Sequence, residues 1–512
     1  MTACVSPMEV LDSIFNCLRD DPSALSACSL ACHAWMVICR PRLFSKITLD
    51  YKGDSCDKLL CALRSSASTE APIAECVREV KVCTRILTFS GMRDDAPTRL
   101  TQYASSMLGN WMPQPGPPQI SLPNSSVFAT GDRRTLPTGS LFAMGDRRTL
   151  SRALGPVLHS LPRVERLYMS SFDWNHLAPM SLWEAAMDRT CTSAPLSLFS
   201  GLTSVKSITF GLAMFNSPSE VMQLLAQFPN LESLRMEGVV FDPFGTELPV
   251  CGTPGNTSAS GPIHIQKLTL DGGSREAARV VHGLLNPPFS MALREISVFS
   301  TGTCDYNTVA RLLHEMRSTI ESIRLNFSLS AGMQSESSTN HFRRRYTEIM
   351  SLCTGLLQTI NLSKFTKLRV FELEYEYLLV EADLPGFGAF RSETPDIRHL
   401  PVFLRALPES TEELIFRFKT QKRVANGVPS LHWDFTDWDM LDRVLVALHA
   451  RVPSLRATFH FKVTPMNPLG PLVKTPEGTP DVAGGLETRL RRTLACNTHG
   501  RIARLGSCVY DA

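Results

Sequence analysis

The sequence has almost no net charge and no long apolar run. Its 512 residues carry 52 Lys and Arg against 49 Asp and Glu, a formal charge of +3. Such a balance gives no argument for nucleic acid or a membrane surface as a partner, and we expect neither. No stretch of 18 apolar residues occurs, so no transmembrane helix is expected. The first residues also lack the basic start and unbroken apolar core of a secretory signal.

Motifs for phosphate binding or covalent catalysis are absent as well. The sequence contains no G-x-x-x-x-G-K-[ST], G-x-G-x-x-G or G-x-S-x-G. His314-Glu315 begins an H-E-x-x-H zinc pattern, but Ser318 stands where the second histidine is needed. We therefore expect no catalytic residue, no metal and no cofactor. A hydrolase built from residues distant in sequence stays open as an alternative.

Fifteen cysteines are scattered along the chain, and none forms a Cys-x-x-Cys pair. Cys28 and Cys32 lie four residues apart beside His33, but this spacing alone favours packing over zinc. An odd, dispersed set without a secretory signal predicts reduced cysteines in a protein of the cytoplasm, the nucleus or both.

The first 50 residues predict three short helices. A capping box at Ser6 and Glu9, with Pro7 at the first helical position, starts the first helix. Three such helices bury little apolar surface, so the module needs a partner, either the rest of the chain or another protein. The apolar face of the first helix is predicted to contain Val10, Leu11, Ile14, Phe15 and Leu18.

The second and third predicted helices are delimited by prolines. Asp21 and Pro22 repeat the capping and proline start. The segment around Trp35 predicts a third helix that ends near Arg40, because a residue before proline is pushed out of the helical region. The larger apolar groups of the second helix are Leu25, Cys28, Leu30 and Cys32.

Residues 6–49 resemble an F-box domain. Three elements fall in the order of that family: Pro-x-Glu-Val-Leu-Asp-x-Ile-Phe, Cys-Ser-Leu-x-Cys-x-x-Trp and Arg-Pro-x-Leu-Phe. Ser6 departs from the family, which usually has leucine before the proline. The resemblance implies docking on a Skp-type adaptor and, through it, on a cullin. The adaptor-binding residues implied by the resemblance are Pro7, Val10, Leu11, Ile14, Phe15, Leu18, Leu25, Leu30 and Trp35.

Beyond residue 50 the organising pattern is L-x-x-L-x-L, as in Val164–Leu167–Met169. Eight such triplets run from Val77 to Leu373, and triplets beginning at Leu414 and Leu455 are degenerate members. After Leu167 the members recur every 26 to 48 residues. These intervals are longer than the usual leucine-rich unit of roughly 20–29 residues.

Helical patterns occupy several of the gaps, at residues 219–228, 275–285, 306–316 and 437–450. Alternating strand and helix predict an α/β fold with a parallel sheet. Repetition at varying length favours a solenoid of α/β units, with a doubly wound sheet as the alternative. The lead-ins LPRVERL and FPNLESL are similar to leucine-rich repeats, which often follow F-box modules. We predict two domains, 1–50 and 51–512.

Four long loops are predicted from composition. They lie near residues 100–150, 246–262, 381–399 and 464–485, which are rich in Pro, Gly, Ser or Thr or lack charge. Within the first of them, FATGDRRTL at 128–136 is nearly repeated as FAMGDRRTL at 142–150. We interpret this as a local tandem duplication in a loop.

The F-box resemblance implies the substrate-recognition subunit of an SCF-type E3 ubiquitin ligase, which binds a protein substrate and does no chemistry itself. The alternative is an interaction scaffold that acts outside a ligase. In an L-x-L strand the middle residue lies on the face away from the core. The middle residues are Tyr168, Thr209, Arg235, Thr269, Ser297, Arg324, Glu372 and Arg417. Because Tyr and Arg are enriched among binding hot spots, the candidate substrate-binding residues are Tyr168, Arg235, Arg324 and Arg417.

Overall fold

The chain is an α/β protein with an N-terminal helical stretch and one large parallel sheet. No helix within the described ranges is long and apolar enough to cross a membrane. The computed structural model describes residues 7–18, 21–49, 54–69, 72–83, 154–172, 174, 196, 198–241, 262–271, 275–300, 306–327, 355–356, 359–380, 400–423, 438–466 and 503–510.

Three helices come first in the chain: α1 (Pro7–Cys17), α2 (Pro22–Ala31) and α3 (His33–Leu43). Asp21 caps α2 as predicted, since its carboxylate accepts hydrogen bonds from the backbone N–H groups of Ser23 and Ala24 at 3.1 and 3.0 Å. The predicted end of α3 near Arg40 is wrong. Pro41 lies inside the last turn of this helix, because a proline there removes only one backbone donor and its fixed φ remains helical.

The three helices share a small core of their own. Phe15, Leu25 and Cys39 are buried in it, and the ring of Trp35 meets that of Phe15 edge-on with centroids 5.5 Å apart. The partly buried residues around this core are Leu11, Leu18, Cys28, Trp35, Ile38 and Leu43. The side chain of Arg40 joins this unit to the turn that follows the next helix, because its Nη1 donates to Thr69 Oγ1 at 2.8 Å.

Twelve of the described strands form one sheet, in which every pair of neighbours is parallel and the order follows the chain. The first strands are β1 (Lys46–Leu49), β2 (Glu79–Val82), β3 (Arg166–Ser170), β4 (Ser207–Gly211) and β6 (Ser233–Glu237). The others are β8 (Ile263–Asp271), β9 (Phe289–Ser300), β10 (Ser322–Phe327), β11 (Val370–Val380), β12 (Glu413–Arg423), β13 (Arg456–Met466) and β14 (Ala503–Tyr510). Two short strands, β5 (Met214–Phe215) and β7 (Val240–Phe241), pair separately. Strand β1 lies within the range predicted for the N-terminal domain, yet it pairs with β2.

One hydrogen-bond arrangement recurs just before the strands. The carbonyl of Arg78 accepts the N–H groups of Glu165 and Arg166 at 2.9 and 3.0 Å. The Glu165 carbonyl in turn accepts those of Lys206 and Ser207 at 2.8 and 3.0 Å. The carbonyls that repeat this double acceptance belong to Ser45, Lys206, Glu232, Glu321 and Arg369. Most neighbouring strands therefore enter the sheet in the same geometry.

The predicted triplets form the main core. Every apolar residue of the eight triplets from Val77 to Leu373 is buried, as are Leu414, Phe416, Leu455 and Phe459. Helices pack on the same side of the sheet, because residues such as Leu224 and Leu445 belong to the same buried cluster as the strands. The helices after α3 are α4 (Asp54–Ser66), α5 (Ile73–Cys76), α6 (Pro218–Leu225), α7 (Arg275–Leu284), α8 (Tyr306–Glu315), α9 (Leu400–Arg405) and α10 (Trp438–Arg451). Helices α6, α7, α8 and α10 confirm the four helical patterns.

The predicted loops fall almost entirely outside the described residues, as does the duplication at 128–136 and 142–150. One boundary is wrong, because β13 runs through residues 464–466, where the fourth loop was expected to begin. Strand β12 is equally long, and its last residue, Arg423, pairs with Met466. The neighbouring strand supplies backbone partners that composition alone does not reveal.

Candidate functional site

The structure divides the predicted adaptor-binding residues into two groups. Five of them contribute to the small helical core: Phe15 and Leu25 are buried, and Leu11, Leu18 and Trp35 pack partly buried against it. These side chains hold the helical unit together. An apolar residue already packed in its own unit adds little free surface for a partner.

The other group lies open on the surface. Val10 and Ile14 are 46% and 50% exposed, and Leu30 on α2 is 84% exposed. Val10 and Ile14 are one turn apart, so they form an apolar stripe along α1. Pro7 begins the same helix, and its side chain lies outside the described residues.

An ion pair fixes the position of this stripe. Arg42 of α3 donates from Nη2 to Asp12 Oδ1 at 2.8 Å and to Asn16 Oδ1 at 3.2 Å. Asp12 and Asn16 lie four residues apart, on a different side of α1 from the stripe. Arg42 thus holds α1 on α3 and leaves Val10 and Ile14 facing outwards.

The polar face of the sheet, opposite the helix-covered core, contains all eight predicted middle residues. Residues directly opposite each other across the strands run from Tyr168 through Arg235 to Arg324 and Glu372. Arg417 lies on the same face but outside this row. It pairs with Glu374 and lies one pleat further along, while Ile415 is opposite Glu372, because the L-x-L pattern of β12 contains two candidate middle positions.

Around Tyr168 the polar face is basic. Lys46 Nζ lies 5.6 Å from the centroid of the Tyr168 ring. The carboxylate of Glu79 lies between two cations, with Lys46 Nζ at 2.7 Å and Arg166 Nε at 3.4 Å. The hydrogen bond that the Lys46 ammonium donates to Glu79 raises the pKa of Lys46, so this side chain stays charged. Lys81 lies directly opposite Tyr168 on the adjacent strand.

Arg235 occupies the middle of the face, two strands from Tyr168. Its Nε donates to Glu237 Oε1 on the same strand, and both side chains are partly exposed. Its opposite neighbours, Thr209 and Thr269, are uncharged. The structure therefore places Arg235 apart from the other three candidate residues.

Arg324 and Arg417 meet in one ion network. Arg324 Nε lies 3.1 Å from Glu372 Oε1, and its Nη2 lies 2.5 Å from Glu374 Oε2. Arg417 Nε pairs with the same oxygen of Glu372. The side chain of Glu374 is fully buried and that of Glu372 nearly so. Glu372, predicted to lie on the open face, is on that face but buried beneath the two guanidinium groups.

Two further residues border this network. Arg324 stacks over the ring of Phe299, 5.2 Å from its centroid. His460 lies directly opposite Arg417 on β13. Burial, and after it the charge of Arg417, lowers the pKa of His460 below its ordinary value of 6.5. The imidazole is therefore neutral at pH 7.

The part of the chain that the structure describes offers little support for a metal site or a reactive thiol. No group of three or more His, Cys, Asp or Glu side chains placed to hold a metal ion occurs there. Cys28 packs against the small helical core, whereas Cys32 is exposed between α2 and α3. Burial raises the pKa of Cys39 and Cys76, which keeps these thiols protonated and unreactive.

One histidine–serine pair has the spacing of a nucleophile and base. His159 Nε2 lies 3.3 Å from Ser200 Oγ, and its Nδ1 lies 2.7 Å from the Gly155 carbonyl oxygen. Both side chains are exposed. The contact of His159 Nδ1 is a backbone carbonyl and not a carboxylate that would complete a triad, so we assign this pair no catalytic role.

Several polar residues of the sheet face were missed from the sequence. Lys81 is the middle residue of Val80-Lys81-Val82 and follows the same alternation as Tyr168, so the pattern was sufficient to find it. Glu79 and Arg166 lie one pleat earlier and Glu374 one pleat later. Their ion pairs depend on strand register, which the alternation does not give.

No model of a protein family matches the chain, and no curated protein matches it. A functional assignment therefore rests on the residues and geometry described above.

Proposed function

We propose that this chain is the substrate-recognition subunit of an SCF-type E3 ubiquitin ligase. The N-terminal helical unit docks a Skp-type adaptor, which links it to a cullin, and the sheet region holds a protein substrate. The observation that carries the proposal is the exposed stripe of Val10 and Ile14 on a unit whose own core is already filled by Phe15, Leu25 and Cys39.

The energetics of this stripe favour a partner. Burying a Val or Ile side chain completely stabilises a complex by about 1.5–3 kcal/mol. Both residues are half exposed in the chain, so docking buries the remaining half of each. Arg42 has already ordered the helix that presents them, which lowers the entropic cost of binding.

For the sheet region we propose a leucine-rich-repeat-like α/β solenoid. Three observations support it: the strands follow chain order, all pairs are parallel, and the double N–H to carbonyl arrangement recurs before successive strands. Right-handed crossovers between sequential parallel strands place the helices on one face. The other face of the described sheet is then left without helices, as the binding surfaces of solenoids are.

In this proposal the ligase subunit acts by binding alone. It raises the concentration of the substrate near the ubiquitin-carrying enzyme and needs no cofactor. The cytoplasm, the nucleus or both are the compartments that the proposal requires, since the adaptor and cullin must be reached there.

The test is capture of a Skp-type adaptor and a cullin by the full-length chain. The variant Val10→Asp/Ile14→Asp places two charges in an apolar contact and should lose at least about thirtyfold in adaptor affinity, or about 2 kcal/mol. Leu18 is left unchanged, because its partial burial in the small core would confuse docking with folding.

Asn16→Asp is the matched control. It adds a negative charge to the same helix away from the stripe and keeps the oxygen that accepts from Arg42. This variant should capture the adaptor normally. Normal capture by a folded Val10→Asp/Ile14→Asp variant would contradict the proposal, and adaptor capture without a cullin would favour a scaffold outside a ligase.

A further inference from the structure

The first strands of the sheet carry a cluster of cations on the polar face. Lys46 on β1, Glu79 on β2 and Arg166 on β3 are directly opposite one another, and Lys81 on β2 is opposite Tyr168 on β3. Adjacent strands are about 4.8 Å apart, so the three cations span about 10 Å. We call Lys46, Lys81, Arg166 and Tyr168 the basic patch.

A buried carboxylate positions two of these cations. Glu79 is only 7% exposed, and it pairs with both Lys46 and Arg166. The cationic side chains themselves stay 62% and 52% exposed. A single carboxylate therefore orders two cations and leaves the patch with an excess of positive charge, to which Lys81 adds.

Among the side chains that the structure describes, the charge excess lies at this end of the polar face. On β4 the corresponding residues are Ser207 and Thr209, and on β6 Arg235 is paired with Glu237. Among the side chains that the structure describes further along, four basic ones are balanced by four acidic ones: Lys267, Arg324, Arg417 and Arg456 against Glu295, Glu372, Glu374 and Glu413. Of these described side chains, those of the basic patch carry the excess of positive charge that is complementary to an anion.

We propose that the basic patch binds an acidic segment, rich in Asp or Glu, of the substrate protein, a role that rests on the proposed function. Lys46, Lys81 and Arg166 attract the carboxylates, and the Tyr168 hydroxyl donates a hydrogen bond. The ring of Tyr168 lies against Lys46 and gives the segment an apolar surface. Electrostatic complementarity of this kind determines which partner associates and how fast.

The chemistry of the patch favours carboxylates over phosphate groups. Recognition of a phosphate dianion generally uses clustered arginines in bidentate contact. Here only one cation is an arginine, and its Nε faces Glu79. Singly charged side chains spaced along a peptide suit the patch better.

The test measures peptide binding to the full-length chain by fluorescence anisotropy. The probes are a labelled peptide of alternating Glu and Gly, the matched peptide with Gln for Glu, and one with phosphoserine for Glu. The Glu peptide should bind and should outcompete the Gln peptide. At 0.5 M salt its affinity should fall at least tenfold, because screening shortens the Debye length to about 4 Å.

Three variants sharpen the test. Lys46→Glu/Lys81→Glu should lower the affinity for the Glu peptide at least tenfold. Lys267 lies on the same face but is paired with Glu295, so Lys267→Glu should leave this affinity unchanged. Glu79→Gln should tighten binding severalfold, because it removes the only negative charge of the cluster. A purely structural role for Glu79 predicts no tightening.

Three results would each overturn the proposal. They are equal affinity for the Glu and Gln peptides, higher affinity for the phosphoserine peptide than for the Glu peptide, and a loss of affinity in Lys267→Glu as large as in Lys46→Glu/Lys81→Glu. The Lys46→Glu/Lys81→Glu variant should still capture the adaptor, since the stripe on α1 is untouched. Failure of adaptor capture by the wild-type chain would refute the ligase function and leave the peptide result standing by itself.

Discussion

The polar face of the sheet differs between its first five strands, β1–β4 and β6, and the six that follow, β8–β13. The first strands are four or five residues long. The later ones reach eleven or twelve, as in β9 and β12. Left-handed residues explain part of this contrast, because Ser171, Leu212 and Gly238 turn the chain directly after β3, β4 and β6.

Charged groups also behave differently in the two regions. In the first region, pairs such as Lys46–Glu79 and Arg235–Glu237 leave their cations half exposed or more. In the second, Glu374 is fully buried under Arg324. Exposed pairs contribute little to stability and remain accessible to partners. A buried pair, in contrast, cannot lose one of its two charges without a large loss of stability. One alternating pattern of side chains has therefore produced exposed ion pairs on the first strands and a buried ion network on β10–β12.

Breaking the buried network should have the largest effect. Arg324→Met removes the cation that lies 2.5 Å from Glu374 and leaves that carboxylate buried without it. Loss of one partner of a buried pair costs about 3–5 kcal/mol, so we expect the free energy of unfolding to fall by about 3 kcal/mol. Urea denaturation followed by tryptophan fluorescence measures this change.

Arg235→Met is the control from the first region, because the same residue type and ion pair lie there in water. Its cost should stay below about 1 kcal/mol. Adding Glu374→Met to Arg324→Met should recover most of the loss, since an apolar pair needs no counter-charge. Equal losses for the two single arginine variants would remove the distinction between the regions.

Substitutions at the residues with positive φ should change the free energy of unfolding by a smaller amount. The change should have opposite signs at Leu212 and Gly238. Leu212 has φ +56° and a half-exposed side chain, so Leu212→Gly relieves about 1–2 kcal/mol of strain against about 1 kcal/mol of lost chain entropy. We expect a net gain of about 0.5 kcal/mol. Gly238→Ala, at φ +66°, should lose about 1 kcal/mol, partly because its Cβ would come within 2.9 Å of Leu212 Cδ2. Thermal unfolding of both variants shows whether the signs differ.

The alternation of apolar residues was sufficient to predict most of the sheet and its core. Leu167 and Met169 are buried with their counterparts on later strands because period-two spacing determines which side chains share a face. Helical periodicity was less informative for α1. Ile14 and Leu18 belong to the same predicted apolar face of the first helix, yet only Leu18 packs in the small core. The position of α3 decides which side of α1 is covered.

The ion network was beyond the reach of sequence patterns. Arg417 and Glu372 are 45 residues apart, and Arg324 and Glu374 are 50 apart. Alternation places each of them on the polar face, but the contacts depend on strand register and on intervals that vary along the chain. The same uncertainty leaves the row of Arg417 open in the sequence, since two residues of β12, Ile415 and Arg417, fit the middle position.

The smallest predicted effect is a pH dependence in the second region. Burial and the charge of Arg417 lower the pKa of His460 below 6.5, while Glu372 and Glu413 act in the opposite direction. Between this lowered pKa and 6.5 the unfolded chain binds more protons than the folded chain, so the free energy of unfolding falls as the pH falls through that window. His460→Gln removes the titrating group and should lose less stability than the wild type between pH 7.5 and pH 5.5. Urea denaturation at the two pH values measures the difference, and an NMR titration of the His460 ring gives the midpoint directly. A midpoint at or above 6.5 would show that burial and the charge of Arg417 do not outweigh the attraction of Glu372 and Glu413.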